Sequence, residues 1–291
     1  MLAKLAAPDV HLTGNWISEP KYDGQRIIAQ REEDNIKFWT RRHLQVARKF
    51  PELVEALLNN IKSKNWILDG ELTVPGGFGY LINRNVDDDF RIKLLAKKMP
   101  ANYHVFDLLQ YDGESLLNTP LLERKKLLIN ILQTDERIEI VPFKLVDSTT
   151  VLDHFEEYTG KGFEGAILKN TTGKYEPGKR SGQWIKIKRE DTVDVHVIGA
   201  TRSESIPFGA LIMERNGEYF GKVGTGFSDQ NRRDILKMLE ENKGPLHVLV
   251  PPDVKPEILI TTKPLPAEIK VNELIKGRSP RAPVWVRFRM D

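Results

Sequence analysis

Glu19-Pro20-Lys21-Tyr22-Asp23-Gly24-Gln25-Arg26 is the stretch on which the reading of this chain turns. Asp23-Gly24 supplies a tight turn between the apolar pair Trp16-Ile17 and the alternating run Arg26-Ile27-Ile28-Ala29-Gln30-Arg31. Lys21 therefore sits beside a turn with Arg26 nearby, and a neighbouring cation disfavours a second positive charge. A neutral amine is a nucleophile, toward phosphorus as well as toward carbonyl carbon. A surface hairpin with an exposed lysine has the same local sequence, so the segment takes its meaning from the rest of the chain.

Residues 26–31 and 36–40 flank a polar turn and read as a hairpin. Pro51 opens a helix with Leu53, Leu57, Leu58 and Ile61 on one side. A strand is expected over 66–74. Asp87-Asp88-Asp89 precede Phe90, Leu94 and Leu95, with Lys97-Lys98 at the far end, a polarity that suits a helix dipole. Residues 103–109 form a buried strand. Thr119-Pro120 caps a helix running through Leu132, since proline is well tolerated at a helix start. A helix over 148–158 stops at Gly160, and strands follow over 165–169 and 184–188. No regular βαβ rhythm appears, which predicts an α+β class with mixed, largely antiparallel sheets. The texture changes near Asp191. Short strands alternate with glycine turns over 193–223, one helix covers 228–242, and the tail closes on Val284-Trp285-Val286-Arg287-Phe288. Short strands plus one helix predict a small β-barrel such as an OB-fold. The expected domains are 1–191 and 192–291.

Composition narrows the chemistry. The 291 residues suit two domains, and 40% hydrophobic with 29% charged residues gives a buried core and a soluble surface. There is no cysteine, which excludes disulfides, thiolate zinc, iron–sulfur clusters and thiol nucleophiles. The 6 histidines are scattered singly, against a histidine metal cluster. Catalysis falls to Lys, Arg, acids, hydroxyls and hard metal ions held by carboxylates. No apolar run is long enough for a transmembrane helix, and residues 1–20 lack the shape of a signal peptide, so no membrane association and a cytoplasmic location are expected. The net charge of +3 hints only mildly at an anionic partner. Between Lys169 and Arg189, however, seven basic residues face one acid, Glu176, the steepest local bias in the chain.

Three further segments carry chemistry. Leu68-Asp69-Gly70-Glu71-Leu72 places two carboxylates on either side of a glycine, and Glu164-Gly165 precedes an apolar strand. Glycine permits close approach of a ligand to the backbone. Glu71 and Glu164 are candidate ligands for Mg²⁺ beside a triphosphate, since Mg²⁺ accepts one or two carboxylates plus phosphate oxygens; taken singly, each also reads as a solvent-facing strand end. In Gln183-Trp184-Ile185-Lys186-Ile187-Lys188, strand alternation sets Lys186 and Lys188 on one face. Two parallel ammonium groups suit a phosphate between them, although a basic, solvated edge strand has the same pattern.

Together these residues resemble a family. Lys21-Tyr22-Asp23-Gly24-Gln25-Arg26 resembles the nucleotidyltransferase motif of ATP-dependent DNA ligases. Asp69-Gly70-Glu71, Phe106-Asp107, Glu164-Gly165 and Lys186-Ile187-Lys188 match that family's later motifs in order. Thr40-Arg41-Arg42-His43 resembles its arginine motif, with histidine where a small glycine is common. Pro51-Glu52-Leu53 and Tyr175-x-x-Gly178-x-Arg180-Ser181 are most similar to the ligase domain of prokaryotic end-joining ligases.

The resemblance implies an ATP-grasp-like nucleotidyltransferase domain followed by an OB-fold domain. It implies that Lys21 attacks the α-phosphate of ATP to give a lysyl–AMP, that AMP passes to the 5′-phosphate of a nicked duplex DNA, and that the 3′-hydroxyl then expels it. Glu19 and Phe106 are implied to hold the adenine, Arg26 and Arg41 the ribose or the nick phosphate, and Lys186 and Lys188 the α-phosphate. Glu71 and Glu164 are implied to serve ribose or a metal, Mg²⁺ or Mn²⁺. Phe106 in a buried strand equally fits a core residue. A monomer is expected, with a DNA end-binding or repair protein as a possible class of partner. An RNA ligase and an mRNA capping guanylyltransferase share the lysine chemistry and stand as the alternatives; a nick-binding module without catalysis is the non-enzyme reading. An NAD-dependent ligase is disfavoured by the absence of cysteine and by the 20 residues before Lys21.

The family's last motif, Arg-x-Asp-Lys, aligns with Arg289-Met290-Asp291 for its first three positions. Arg289 is therefore a candidate nucleotide-binding residue. Without the final lysine, the expectation is weakened self-adenylylation with sealing of a pre-adenylylated nick less affected.

Overall fold

The computed structural model describes residues 1–189, 191–271, 279–280 and 282–289. The chain separates into two compact units, Met1–Lys188 and Arg189–Asp291. The first unit runs β1 (Leu2–Leu5), β2 (Trp16–Lys21), β3 (Gln25–Glu32), β4 (Asn35–Thr40), α1 (Pro51–Asn60), β5 (Asn65–Thr73), α2 (Phe78–Leu81), α3 (Asp89–Lys98), β6 (Asn102–Tyr111), β7 (Glu114–Ser115), α4 (Leu121–Ile131), β8 (Ile138–Ile140), β9 (Lys144–Val146), α5 (Val151–Gly160), β10 (Gly165–Asn170) and β11 (Arg180–Lys188). It is an α+β fold with two sheets.

One sheet has the order β4-β3-β5-β6-β7, with β8 parallel to β6. Alternation builds its core: Ile27 and Ala29 on β3, Ile36 and Phe38 on β4, and Trp66 and Leu68 on β5 pack with Leu53 and Leu57 of α1. Fully burying one such leucine contributes roughly 1.5–3 kcal/mol. Pro51 occupies the first turn of α1, where its missing N–H costs nothing. The other sheet has the order β1-β11-β10-β2-β9, antiparallel except for the β1–β11 pair. The chain crosses from this sheet to the first between Lys21, the end of β2, and Gln25, the start of β3.

Helix ends are set by local chemistry. Asp88 caps α3 by accepting from the Arg91 N–H at 2.8 Å, yet that helix buries only Ile92 and leaves Phe90 exposed. Pro120 is the N-cap of α4, as the sequence indicated, with an extended ψ of 143°. The helix expected from Ser148 begins at Val151. The Asp147 carboxylate accepts from the backbone of Thr149 and Thr150 and holds a turn there.

The second unit contains β12 (Asp191–Thr201), β13 (Leu211–Arg215), β14 (Glu218–Val223), α6 (Asp229–Glu241), β15 (Ile258–Val271) and β16 (Val284–Phe288), in the antiparallel order β14-β13-β12-β15-β16. Ser228 and Asn231 form a reciprocal capping box at the start of α6. Long strands replace the short ones expected: β12 has 11 residues and β15 has 14, both breaking register at Val197/Gly199, where a bulge bends the sheet. Among the described residues the ladder is an open path and not a closed ring. The curl nonetheless brings the segment after β14 back to β16, where the Trp285 N–H donates to the Thr225 carbonyl at 2.9 Å and the Phe227 ring stacks on Trp285. Phe208, Leu211, Met213, Ile235, Leu239 and Trp285 fill the space enclosed. Among the described residues no helix is long and apolar enough to cross a membrane.

Candidate active site

Strand register assembles the site. Lys21, Gly165 and Lys188 lie opposite one another across β2, β10 and β11; Glu19, Ile167 and Lys186 form the next row; Ile17, Lys169 and Trp184 form the third. Directly opposed residues share a face, so one face of this sheet presents Lys21, Glu19, Lys169, Lys186 and Lys188 together. Gly165 has to be glycine: its φ is +151°, and a Cβ would run into the Ile187 carbonyl oxygen. This close approach places Glu164 at the strand start, its N–H donating to the Lys21 carbonyl at 2.9 Å.

An open cavity of about 110 Å³ lies on this face. Glu19, Lys21, Tyr22, Arg26, Glu71, Phe106, Lys169 and Trp184 are among its lining residues. The Lys21 ammonium donates to Glu164 Oε2, while Lys188 Nζ lies 2.5 Å from Oε1, so one carboxylate bridges two ammonium groups. Burial alone would push the Glu164 carboxyl up, but Lys21 and Lys188 together bring it below the usual carboxylate range. Lys186 is held below the usual lysine range, first by burial and then by Lys188, Arg180 and Lys21. The crowding of cations read from the Lys186/Lys188 alternation is therefore present in three dimensions.

On the other sheet, Phe106 is placed by a bulge. Asp69 pairs with Asp107 and Gly70 with Val105, so Phe106 is the extra residue of β6 and its ring is re-aimed into the cavity. It lines the cavity and also packs against the buried cluster of Met1, Leu109, Tyr175 and Trp184. Gly70 makes room for the Tyr103 ring, which a Cβ would meet at 2.6 Å. Arg26 and Glu71 are opposed on β3 and β5. The Arg26 guanidinium is engaged by Asp69: Nε to Oδ1 is 2.9 Å and Nη2 to Oδ2 is 2.6 Å. The Tyr175 hydroxyl donates to Asp69 Oδ2 at 2.8 Å. Burial pushes the Glu71 carboxyl up to about 8, against the pull of Lys21 and Arg26.

Glu19 anchors two lysines that the sequence reading did not assign to the site. Lys169 Nζ is 2.6 Å from Glu19 Oε2, and Lys125 of α4 reaches Oε1. Both ammonium groups are buried and at ion-pair distance without an aligned hydrogen bond, so charge more than directional bonding holds them. Lys169 also lies 4.2 Å from the Phe106 ring centroid and 4.3 Å from that of Trp184. Burial lowers Lys169 to about 8; Glu19 opposes the shift and Lys125 adds to it. The signal for Lys169 is its spacing, five residues after Glu164 on the same strand run; Lys125 gives only its place between Leu121 and Leu128 on the buried face of α4.

Two candidates lie elsewhere. Arg41 is exposed in the turn after β4 and is not among the residues lining the cavity. In that turn His43 adopts φ 58°, the left-handed region, which explains why glycine suits the position. Arg289 belongs to the second unit, where its Nη2 lies 2.8 Å from Asp194 and 3.6 Å from Glu268. Asp291 lies outside the described residues. Among the described residues no group of three or more His, Asp or Glu forms a ready metal cage. The fit for Mg²⁺ is of the sparser kind: Glu71 is a half-buried carboxyl lining the cavity, and Glu164 already gathers cations.

Comparison with known proteins places the chain in a family. The model of the ATP dependent DNA ligase domain matches residues 1–188, and that of the ATP dependent DNA ligase C terminal region matches residues 201–291. The chain belongs to the ATP-dependent DNA ligase family. It is 32% identical over 251 residues to the DNA ligase of Thermococcus fumicolans, covering 79% of this chain and 44% of that protein. With the DNA ligase of Thermococcus onnurineus it shares 33% over 242 residues, 76% of this chain and 42% of the relative. The chain thus spans less than half the length of these relatives. Among solved structures, the ligase domain of M. tuberculosis LigD superposes with a TM-score of 0.51 at 27% identity, covering 99% of this chain and 95% of that one. A Lig E DNA ligase gives 0.66 at 21% identity, covering 99% of each, and bears on the fold alone.

Proposed function

We propose that this protein is an ATP-dependent DNA ligase that seals nicks bearing a 5′-phosphate and a 3′-hydroxyl in duplex DNA. The observation that carries this reading is the Lys21 amine, held by Glu164 on a cavity whose walls include the Phe106 and Trp184 rings. Residues 1–191 act as the adenylylation domain and residues 192–291 as the OB-fold domain.

Lys21 Nζ attacks the α-phosphorus of ATP. The ammonium first gives up one proton; a P–N bond then forms, the bond to pyrophosphate breaks, and a second proton leaves the nitrogen. The 5′-phosphate of the nick then displaces the lysine from the AMP phosphorus. In the last step the 3′-hydroxyl attacks the activated 5′-phosphate, AMP departs, and the phosphodiester is closed. Positioning and charge neutralisation supply most of the rate in such transfers. Phe106 stacks on the adenine, Glu19 serves its polar edge, and Lys186 and Lys188 hold the α-phosphate. Arg26, anchored by Asp69, contacts the ribose; Arg41, free on the surface, suits the nick phosphate, and Arg289 suits the departing pyrophosphate. Glu71 and Glu164 are the residues that would hold Mg²⁺ or Mn²⁺, which neutralises charge on the phosphate oxygens when bound. The reading is of a monomer acting in the cytoplasm, with a DNA end-binding or repair protein as the class of partner.

Incubation with α-labelled ATP or GTP, with and without a nicked duplex, tests this reading. Expected are a labelled protein from ATP, no label in Lys21→Ala, and joined DNA. Labelling from GTP alone would point to a capping-type guanylyltransferase, and sealing of nicked RNA but not DNA to an RNA ligase; either result overturns the proposal.

A further inference from the structure

The crossover between the two sheets carries the nucleophile. Lys21 ends β2, and the next ladder pair is Gln25 with Leu72, so Tyr22, Asp23 and Gly24 pass between the sheets without strand pairing. What fixes Tyr22 is a set of side chains. Its ring stacks on His104 of β6 with centroids 3.9 Å apart and planes 23° apart, and it meets the Phe163 ring edge-on at 5.0 Å. Its hydroxyl donates to Glu139 Oε1 of β8 at 2.5 Å. His104 Nδ1 lies 2.5 Å from the same oxygen. A carboxylate only accepts, so Nδ1 carries a proton. His104 Nε2 is in turn 2.7 Å from Thr73 Oγ1 at the end of β5. The chain Thr73–His104–Glu139–Tyr22 thus ties the residue after the nucleophile to three strands of the opposite sheet.

Nothing in the ligase chemistry proposed above calls for a histidine at position 104. In the register of β5 and β6 it stands opposite Glu71, and its ring is mostly buried without touching the cavity. Its imidazole offers two things no apolar residue offers at once: a flat face for Tyr22 and a directed N–H for Glu139.

We propose that His104 is a positioning residue for Lys21, acting through Tyr22: with Glu139 it pins the crossover segment and so sets where the lysine amine stands over the α-phosphate. This rests on the ligase reading. A displacement of the nucleophile acts on the step that uses it, lysine adenylylation, and leaves the joining of an already adenylylated nick, which needs no lysine attack. A loss of the order of 10- to 100-fold is expected for an ångström-scale misplacement.

The experiment measures single-turnover AMP–lysine formation, ATP affinity, and sealing of pre-adenylylated nicked DNA in the full chain carrying Glu139→Gln, His104→Ala or His104→Asn. Tyr22→Phe, which keeps the ring and removes the hydroxyl, is assayed for adenylylation as the variant least able to disturb folding. The expected result is slowed adenylylation in Tyr22→Phe, Glu139→Gln and His104→Ala at nearly unchanged ATP affinity. Partial recovery is expected in His104→Asn, whose amide restores the N–H toward Glu139, with sealing of the pre-adenylylated nick within twofold of wild type in Glu139→Gln. If Tyr22→Phe and Glu139→Gln adenylylate as fast as wild type, or if sealing falls in step with adenylylation, the positioning role is wrong. If the wild-type chain itself takes no label from ATP, the ligase reading fails first and this inference with it.

Discussion

Asp69 grips Arg26 with both carboxylate oxygens, at 2.9 and 2.6 Å, and is itself fully buried. The pair joins the two motifs that flank the cavity. Arg26 follows the nucleophile's turn and Asp69 opens Asp69-Gly70-Glu71, so one ion pair aligns β3 with β5 behind Glu71. Removing one member of a buried pair leaves the other charge uncompensated, at a cost of about 3–5 kcal/mol. Arg26 is a quarter exposed, which sets the expectation at the lower end. Asp69→Ala is expected to lose about 3 kcal/mol in urea unfolding and to slow AMP–lysine formation. A variant as stable as wild type would show that Tyr175 and Met1, the other acceptors around the guanidinium, hold Arg26 unaided.

Glu71 predicts a pH signature. Its folded carboxyl titrates near 8 against an ordinary 4.5. The folded state therefore binds this proton more tightly than the unfolded chain. The stability it contributes is full below about 4.5 and is lost as pH rises through about 8. Glu71→Gln, which cannot ionise, is expected to flatten the fall in stability between pH 5 and 8 and to be the more stable protein at the alkaline end, measured by thermal melting in metal-free buffer. The same variant is expected to lose most AMP–lysine formation. Stability gained where activity is lost is the trade-off of a site that keeps a carboxyl buried for use.

Much of this site was legible because its residues lie on strands whose alternation is strict. Lys186 and Lys188 share a face, as do Glu19 and Lys21, for reasons of pleat alone, and the strand register then brings both pairs to the same face. The Phe106 bulge was not legible, since nothing in Val105-Phe106-Asp107 announces the extra residue; its position in the motif order pointed to a role, but only pairing in space shows how the ring turns. Lys125 and Arg124 lie on the same buried stripe of α4 as Leu121 and Leu128, where a periodicity count expects apolar residues. Their partners, Glu19 and Asp107, come from distant strands. The three-residue strands β8 and β9 escape any pattern because they are too short to alternate, yet β8 carries Glu139.

His43 gives a test of local strain. Its φ of 58° lies in the left-handed region, and its N–H still closes a turn onto the Thr40 carbonyl at 2.9 Å. A left-handed conformation costs a residue with a Cβ roughly 1–2 kcal/mol, while glycine loses more freedom on folding, about 0.5–1 kcal/mol. His43→Gly is expected to raise stability slightly, by up to about 1 kcal/mol, in urea unfolding. The neighbouring Arg41 keeps its side chain, so nick sealing is expected to persist. A clear loss of stability would mean the imidazole makes contacts that offset the backbone strain.

Lys169 carries the most distinctive titration. Burial lowers it to about 8 from an ordinary 10.5, with Glu19 holding it from falling further. Between about pH 8 and 10.5 the unfolded chain binds this proton and the folded chain does not, so this group makes stability rise with pH across that window. Lys169→Met removes the contribution. The variant is expected to be less stable at neutral pH, because Glu19 then keeps only Lys125 as partner, and to show a shallower rise in stability between pH 8 and 10.5 than wild type. Superimposable slopes would place the Lys169 proton in the ordinary range and leave the Glu19 carboxylate balanced by two full charges at every working pH.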